Sequence, residues 1–503
     1  MKILFVIPRQ FNVYGGKTTK PRVPHIGIAY LSAYLKKQGH EIDVYDCTVE
    51  EDCDSLFGGF LLSYNIIGIS LYSLSINSSY NLVNKIVAYL ERHSNRKIPV
   101  VLGGPHVTMA KKEVLAKTGA DFAIYGEGEL TFIELIRNLK SSDNFNQIEG
   151  LIWRDKLGNI VKNPNREFID NIDSLPLPDY SVFKLDRYVC SELNEIPINT
   201  SRGCPFECLF CAINLIAGRR FRARSPKNVV QEMMVNYNRG IRNFYIIDDA
   251  FNLNIKRAEA ICDLIIKEDL KIKLVFQNGL RADYLTEKLV SKLKKAGCVA
   301  IVLSAESGNN DILKAIKKNI TIERFNLAVD MIDKADINFI VNFIIGHPTE
   351  TYDKAMDSIR LGRKISKRKN CATIMYFNLI PYPSTAVFEW IEKNGKWLLS
   401  KDKYLDSRMI NTFPVFESRD FTEKERINLL EKGNRIHRAS LLKFIFGKYL
   451  GFLAQYINNV EFITYKTIGV DDFLLYKYKI NSFDKIIEFN GHYVIKFKAE
   501  IEI

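Results

Sequence analysis

Cysteine is scarce in this 503-residue sequence, and its distribution excludes two classes of protein. Six of the nine cysteines are scattered along the chain: Cys47, Cys53, Cys190, Cys262, Cys298 and Cys371. Scattered cysteines do not form the disulfide framework that holds small secreted domains together. They also do not provide a second group of clustered thiols. Metal or redox chemistry of cysteine must therefore depend on the other three.

Long apolar segments are also lacking. The N-terminal apolar run stops at Pro8, which is too short for the apolar core of a signal peptide and predicts a first β-strand. Residues 441–457 are apolar, but Lys443 and Lys448 interrupt them, so the segment is too short and too charged to span a bilayer. We therefore expect a cytoplasmic protein without a membrane span.

Charge and composition indicate a large globular protein. At 503 residues with 47% hydrophobic content, the chain should hold two or three domains with buried cores. The formal net charge of +13 could attract nucleic acid, an anionic membrane surface or a phosphorylated ligand. The basic residues are dispersed, however, as in a surface that is simply rich in lysine. We therefore expect a small-molecule substrate and no nucleic acid partner.

The remaining three cysteines form a Cys-x3-Cys-x2-Cys run. Cys204, Cys208 and Cys211 follow an apolar stretch at residues 196–200. Three close thiolates without a fourth suit a [4Fe-4S] cluster in which one iron has no protein ligand. A structural zinc site, in contrast, needs four closed ligands. The run therefore predicts a cluster with an iron that can bind a substrate or cofactor.

This run resembles the signature of the radical S-adenosylmethionine (SAM) enzymes, including the aromatic Phe210 before the last cysteine. The resemblance implies that the amino and carboxylate groups of SAM chelate the open iron. It also implies that one electron from the cluster cleaves SAM to a 5'-deoxyadenosyl radical. An electron donor such as flavodoxin or ferredoxin would then be a partner.

The first 142 residues alternate apolar runs with helical patterns, which predicts a domain with a doubly wound, Rossmann-like parallel sheet. The expected strands are residues 3–7, 41–45, 66–70, 100–102 and 122–125, and helices are expected at 28–38, 78–92 and 112–118. Ligands of such sheets bind beyond the carboxyl ends of the strands. The loops there hold Ser70-Leu-Tyr-Ser73, Gly103-Gly-Pro-His106 and Gly126-Glu-Gly-Glu129.

In this order, these loops resemble the cobalamin (B12)-binding domain of one large class of radical SAM enzymes. The resemblance implies cobalamin contacts at Ser70, Ser73, Gly103, Gly104, His106, Gly126 and Glu127. The B12 mutases carry an Asp-x-His-x-x-Gly motif, but here Val23 and Ile28 replace the Asp and Gly around His25. We therefore expect cobalamin without a lower histidine ligand. The alternative is a domain of this fold that binds no cobalamin.

Residues 143–190 read as a linker that contains a β-hairpin at 150–161 and an extended, proline-rich segment at 175–179. Residues 191–420 are predicted to form the radical SAM core. Its six strands are expected at 196–200, 243–247, 273–277, 300–304, 339–345 and 373–379, with helices between most of them. Six units are fewer than the eight of a closed TIM barrel and predict a partial (β/α)6 barrel.

The candidates for SAM binding are Phe210 of the cysteine run and, at the carboxyl ends of these strands, Asp248, Asp249, Arg281, Glu306 and Gly346. Carboxylates suit the amino group and hydroxyls of SAM, and a cation suits its carboxylate. By resemblance to motifs of the same class, we expect Glu306 to contact the ribose or amino acid portion. Asp248 and Asp249 could instead be loop or helix-capping residues. His106 and His347 could be chemical, but a loop-shaping role is favoured for both.

The region 421–503 is predicted to be mostly helical and basic, with strands around Gly491-His492, and contains no motif that we can interpret. The resemblance as a whole implies a cobalamin-dependent radical SAM enzyme that methylates an unactivated carbon, or less often phosphorus. A cobalamin-dependent cyclase or ring-rearranging enzyme is the alternative. A non-catalytic iron–sulfur or electron-transfer protein is disfavoured because it needs no open iron.

Overall fold

The computed structural model of the chain describes residues 1–10, 21–50, 53–141, 145–406, 413–446, 460–464, 478–489 and 492–501. The first unit is a sheet with helices on both faces. Its strands are β1 (Lys2–Ile7), β2 (Glu41–Asp46), β3 (Ile66–Ser70), β4 (Val100–Gly103), β5 (Phe122–Ile124), β6 (Leu151–Arg154) and β7 (Ile160–Lys162). Its helices are α1 (Ile26–Lys37), α2 (Ile76–His93), α3 (Pro105–Ala110), α4 (Lys112–Ala116) and α5 (Gly128–Ser141).

The strand order of this sheet is β2-β1-β3-β4-β5-β6-β7, and the first five strands pair in parallel. The predicted hairpin is present as β6 and β7. Since β6 pairs antiparallel with β5, the hairpin extends the first sheet rather than standing apart as a linker. The order confirms the predicted doubly wound parallel arrangement, in which the carboxyl ends of the parallel strands meet at one edge.

The second unit is an open sheet of six parallel strands in the order β15-β14-β13-β12-β11-β8. Its strands are β8 (Glu195–Ile198), β11 (Asn243–Ile246), β12 (Lys273–Phe276), β13 (Cys298–Glu306), β14 (Asn338–Ile345) and β15 (Cys371–Asn378). Beside them lie α6 (Val189–Glu192), α7 (Ile213–Ile216), α8 (Pro226–Asn238), α9 (Ile255–Lys267), α10 (Glu287–Lys295), α11 (Asn310–Ala315), α12 (Ile322–Lys334), α13 (Tyr352–Ile365) and α14 (Ala386–Asn394). The partial barrel with six βα units is thus confirmed.

Several of these helices begin at a polar residue whose side chain accepts a hydrogen bond from a backbone N–H of the first turn. The capping residues are Ser225, Asn254, Thr286, Asn309, Thr321, Thr351 and Thr385. Such caps satisfy donors that the helix itself leaves free. They fix where each loop at the carboxyl edge of the sheet ends and its helix starts.

Smaller elements complete the described chain. The short pairs are β9 (Ser201–Arg202) with β10 (Arg222–Ala223), and β16 (Gly395–Trp397) with β17 (Phe416–Ser418). The 3-10 helices are Asp54–Phe57, Phe60–Ser63, Ile172–Ser174, Tyr180–Val182, Leu185–Arg187, Ala282–Tyr284 and Tyr404–Asp406. After the long helix α15 (Glu423–Phe446), strands β18 (Val460–Thr464), β19 (Tyr478–Phe489) and β20 (His492–Ile501) form a separate three-stranded sheet. Strands are thus found on both sides of the predicted turn, and Gly491 itself lies outside the described residues.

Helix α15 closes the open side of the barrel. Thr373 of β15 is hydrogen-bonded through its Oγ1 to Ser440 at 3.0 Å and to the ring of His437 at 2.9 Å. Further along the helix, Leu441 packs among apolar side chains inside the amino-terminal half of the barrel, such as Tyr245 and Val302. The remaining opening of the barrel is therefore at the carboxyl ends of the strands.

One buried apolar cluster runs through both units. It contains Phe5 and Phe132 of the first unit and Phe276 and Phe339 of the second. The two sheets therefore share a core. Within the described residues, no helix combines the length and the apolar character that crossing a membrane requires.

Candidate active site

The carboxyl edges of the two sheets face a common cavity, which we call the sheet-end cavity. Its volume is about 340 Å³. One wall comes from the first unit and includes Tyr30, Ser70 and Gly103. The opposite wall comes from the second unit and includes Asn199 and Arg202. Its position is the one at which sheets of this type bind ligands.

Five of the seven residues predicted for cobalamin line this cavity. They are Ser70, Gly103, Gly104, Gly126 and Glu127. A Cβ added at Gly103 or Gly126 would meet no atom within 4 Å, so these glycines leave room where a side chain would take it. At Gly104, φ is +97° and a Cβ would lie 2.8 Å from the carbonyl oxygen of Leu71, so glycine is needed for the backbone itself.

Ser73 and His106 are not among the residues that line this cavity, and their predicted contact with cobalamin stays a prediction. The His106 ring is hydrogen-bonded to Ser73 Oγ at 3.0 Å and to the Tyr80 hydroxyl at 2.9 Å. Both ring nitrogens are thus engaged, and the residue is 4% exposed. Burial lowers the His106 pKa to about 4, which keeps the ring neutral. The pair holds the loops after β3 and β4 together, and this is the loop-shaping role that the sequence favoured.

Glu127 lines the cavity, but arginines of the second unit bind its carboxylate. It accepts hydrogen bonds from Arg202 at 2.8 Å and Arg222 at 2.9 Å. Glu129 accepts a second bond from Arg202, at 2.9 Å. We call Glu127, Glu129, Arg202 and Arg222 the Glu–Arg cluster. It joins the start of α5 to β9 and β10 across the boundary between the units.

The three predicted cluster ligands lie on residues 203–212, which we call the cysteine loop, between β9 and α7. Cys204, Cys208 and Cys211 are free and partly exposed. Burial raises the pKa of each thiol, that of Cys211 to about 12. The charges of Arg281 and Lys318 act in the opposite direction on Cys204 and Cys208. Two cations therefore stand where they favour thiolates.

Arg281 packs against the cysteine loop. Its guanidinium lies 3.5 Å from the ring centroid of Phe206 and bonds to Asp283 at 2.9 and 2.7 Å. It also donates to the carbonyl oxygen of Lys318 at 3.1 Å. Its charge is thus paired with Asp283, and its predicted contact with the SAM carboxylate stays a prediction.

The two predicted aspartates differ in their surroundings. Asp248 is 2% exposed and accepts hydrogen bonds from Thr200 N at 2.5 Å and from Ser201 Oγ at 2.6 Å. These contacts hold the end of β8 and favour the structural alternative for Asp248. Asp249 accepts a longer bond from Gly203 N at 3.3 Å, and burial, with the nearby Asp248 charge, raises its pKa to about 6. Asp249 therefore lies at the start of the cysteine loop.

Glu306 ends β13 in a strained conformation. Its φ is +64°, the ladder to β14 is irregular there, and the residue is 5% exposed. Its carboxylate accepts a hydrogen bond from Lys318 at 2.8 Å. Backbone strain of this kind often marks a functional site. Sequence reasoning missed Lys318, because no motif surrounds it.

Gly346 and His347 follow β14, next to the cysteine loop. The φ of Gly346 is +104°, and a Cβ there would lie 2.7 Å from Arg426. The His347 ring lies 5.6 Å from that of Phe210 and is 1% exposed. Burial lowers the His347 pKa to about 3. Phe210, Gly346 and His347 are thus brought together, although their role toward SAM stays a prediction.

Two family models match the chain. The B12 binding domain matches residues 15–136, and the Radical SAM superfamily matches residues 198–362. An uncharacterized methyltransferase of Pyrococcus horikoshii is 30% identical over 437 residues, which is 86% of this chain and 91% of that protein. The chain belongs to the radical SAM enzymes with a B12-binding domain. The family's cofactors are a [4Fe-4S] cluster, SAM and cobalamin.

Other relatives of this radical SAM enzyme have different names. An anaerobic magnesium-protoporphyrin IX monomethyl ester cyclase of Rubrivivax gelatinosus is 26% identical over 72% of this chain and 66% of that protein. Among solved structures, the methyltransferase TsrM of Kitasatospora setae, with cobalamin and a [4Fe-4S] cluster bound, has a TM-score of 0.64 at 17% identity. It covers 78% of this chain and 76% of that chain. The structural likeness shows that the fold is shared.

The residues present fit the family's cofactors. The sheet-end cavity is open at its glycines and lined mainly by apolar side chains such as Ile69, Leu102 and Phe132, as a corrin ring requires. Three free thiols on one loop supply the donors of a cluster. Among the described residues no three Cys, His, Asp or Glu side chains stand in a metal-binding arrangement.

Proposed function

We propose that this chain is a cobalamin-dependent radical SAM methyltransferase acting on an unactivated carbon, or less often phosphorus, of a small molecule. The observation that carries the proposal is the position of the sheet-end cavity, whose second wall is Asn199, Arg202, Ile216 and Ala217. In the chain these residues flank the cysteine loop on both sides. This adjacency supports an arrangement in which the two cofactor sites would share a wall, so that groups held on its two sides could meet one substrate.

The residues of the chain would bind and orient the cofactors and shield them from solvent. Cys204, Cys208 and Cys211 would hold the cluster, and the Glu306–Lys318 pair with Asp249 would face SAM. When bound, cluster and SAM supply a carbon radical and cobalamin a methyl group. Helix α15 covers the barrel on the side away from the carboxyl ends of the strands, where Leu441 packs among apolar side chains.

An electron must reach the cluster from outside the chain. The three thiols of the cysteine loop are partly exposed, so the loop can be approached from solvent. We propose an electron donor such as flavodoxin or ferredoxin as the partner at this loop. The cytoplasm, where such donors and a reduced cluster coexist, is the compartment that we propose.

The test is anaerobic purification after iron and cobalamin supplementation, followed by turnover with methyl-labelled SAM. We expect about four irons and one cobalamin per chain. The functions of the neighbouring genes suggest which small molecules to try as substrates. We expect one of these molecules to acquire the labelled methyl group while 5'-deoxyadenosine is formed. A chain that takes up iron but no cobalamin under these conditions would contradict the proposal.

Replacement of one cluster ligand tests the cysteine loop separately. Cys208→Ala should lose the iron and the cleavage of SAM, because two thiolates do not hold the cluster, while cobalamin stays bound. Cys53→Ala, which removes a partly exposed thiol outside the loop, is the matched control and should keep the iron. Iron content and the visible spectrum give the answer, and an iron-loaded Cys208→Ala chain would refute the ligand assignment.

Ring formation without methyl transfer is the second candidate, because relatives named as cyclases match 72% of this chain. Both functions use the same cofactors, so content of iron and cobalamin does not separate them. The methyl label does. A product that forms with 5'-deoxyadenosine but without label would favour a cyclase or another ring-rearranging enzyme.

A further inference from the structure

The Glu–Arg cluster lies where the cavity, the cysteine loop and both units meet. Arg202 stands two residues before Cys204 in the chain, and its side chain reaches Glu127 at 2.8 Å and Glu129 at 2.9 Å. These three residues all line the sheet-end cavity. Glu127 also accepts a hydrogen bond from Ile169 N at 2.7 Å, so its position is fixed from a third direction.

The side chains of the Glu–Arg cluster are largely buried. Side-chain exposure is 14% for Arg202, 11% for Glu127, 8% for Glu129 and 2% for Arg222. Taking such charges out of water is unfavourable, and buried ion pairs on balance add little to stability. Their geometry, however, is strict, because the planar guanidinium bonds two carboxylates in fixed directions. The cluster is better suited to fixing a position than to raising stability.

Arg202 links two segments that otherwise belong to different units. Glu127 directly follows Gly126, at which the cavity is open, and Glu129 lies in the first turn of α5. The backbone of Arg202 continues through Gly203 into the cysteine loop. A shift of the loop after β5 therefore moves Arg202, and a shift of Arg202 moves the first cluster ligand. Tyr30, whose ring lies 5.2 Å from the guanidinium, leaves little room for another position.

We propose that Arg202 is a positioning residue that couples binding in the sheet-end cavity to the order of the cysteine loop. Because the ligand in question is cobalamin, this inference rests on the proposed function. Coupling between two sites is reciprocal. A loop ordered by its cluster therefore holds the cavity in its binding form, and cobalamin in the cavity holds the loop.

The test measures the affinity for hydroxocobalamin with and without the cluster, in the full chain and without turnover. In the natural chain the cluster should tighten binding by about 5-fold or more, the lower end of typical coupling. In Arg202→Lys, which keeps the charge but loses the two-carboxylate geometry, this ratio should fall toward one. Glu129→Ala removes only one of the two bonds and should give an intermediate ratio, which provides a second variant if Arg202→Lys does not load iron.

Arg22→Lys is the matched control. Arg22 also joins the two units, through two bonds of 2.8 Å to Glu195, but neither residue lines the cavity. Its coupling ratio should equal that of the natural chain. Hydrogen exchange of residues 203–212 gives a second measurement, since added cobalamin should slow it in the natural chain and in Arg22→Lys but not in Arg202→Lys.

The outcomes separate this inference from the proposed function. If cobalamin binds equally well with and without the cluster, or if Arg202→Lys keeps the ratio of the natural chain, the coupling is refuted while the function stands. If the coupling ratio falls equally in all variants, including Arg22→Lys, the coupling depends on the general contact between the units. The specific role of Arg202 is then refuted. If the natural chain binds no cobalamin in either form, the proposed function fails, and the coupling with it.

Discussion

Asp248 shows at the scale of single residues why a carboxylate at a strand end need not face a ligand. Its oxygens accept hydrogen bonds from Thr200 and Ser201. Asp248→Asn should therefore lower the free energy of unfolding by about 2 kcal/mol, because an amide offers one acceptor where two are used and leaves a buried donor unsatisfied. Chemical denaturation measures this.

Asp269→Asn is the control for this change. Asp269 pairs with Lys271, but the side chain of Asp269 is 79% exposed, so the stability of the chain should hardly change. If Asp248→Asn is as stable as the natural chain but binds SAM more weakly, the original prediction of a SAM contact is right and the structural role is wrong.

The sequence singles out the three cysteines as candidate ligands because the proposed chemistry depends on their spacing, and their role as ligands stays a prediction. The roles of Asp248 and His106 could not be predicted, since their partners come from distant segments: Thr200 is 48 residues from Asp248, and Tyr80 is 26 from His106. The same holds for Lys318, which reaches Glu306 only through the fold of the loop between β13 and α12.

Among the elements, the approach of α13 to the loop after β13 depends on Gly308. A Cβ there would lie 2.5 Å from the backbone of Asp357, and Gly308 N donates to Ser358 Oγ at 2.8 Å. Gly308→Ala should therefore reduce the free energy of unfolding by about 2 kcal/mol, since backbone cannot yield as a side chain can.

Gly58→Ala is the comparison, because a Cβ at Gly58 would meet nothing within 4 Å. Thermal and chemical denaturation of both variants give the two values. Equal stability of Gly308→Ala and Gly58→Ala would mean that α13 can move away from the loop, and that its close approach does not depend on glycine.

The loop between β14 and α13 is held by Glu350, whose carboxylate accepts from Gly346 N at 2.7 Å and His347 N at 3.1 Å. Burial raises the Glu350 pKa to about 7 from its usual 4.5. The folded chain thus binds this proton more tightly than the unfolded chain, and the contribution of Glu350 to stability falls as pH rises from about 4.5 to 7.

Glu350→Gln keeps an acceptor for the loop and removes the titration. The difference in unfolding free energy between this variant and the natural chain should therefore move in favour of the variant by up to about 1.4 kcal/mol per pH unit between pH 5 and 7. A difference for Glu350→Gln that does not vary with pH would show that the buried carboxyl titrates normally.

Strands and most helices followed from the sequence because their apolar periodicity is local. The pairing of the hairpin with β5 and the closure of the barrel by α15 did not, since both are set by contacts between segments far apart in the chain. The sequence predicts helix in the region that begins at residue 421, and α15 begins at Glu423, but nothing in its pattern indicates which sheet it covers.

At the scale of the whole molecule, the shared core predicts that both units unfold together. The cluster with Phe5 and Phe339 spans them, and a second cluster joins Leu4 of β1 to Val387 of α14. Unfolding should give one cooperative transition, with the same midpoint by calorimetry and by fluorescence. Trp153 in the first sheet and Trp397 beside α14 report from different units.

Variants with a single tryptophan make this measurement specific to each unit. Replacement of Trp390 and Trp397 by phenylalanine leaves Trp153 as the probe, and replacement of Trp153 and Trp390 leaves Trp397. Two separate midpoints would mean that the units are independent domains in contact, with interface contacts too weak to couple their unfolding.

The Glu–Arg cluster has a consequence for the comparison of sequences within the family. An acidic pair after the fifth strand looks like a ligand motif, yet here its charges are matched by an arginine 75 residues further along the chain. A substitution of either the acidic pair or the arginine leaves the buried charge of its partner unpaired. Selection should therefore act on the two motifs together. We expect each relative either to retain both the acidic pair and the arginine before the first cysteine or to replace both. Relatives that retain both should have the same ion-paired contact between the two units.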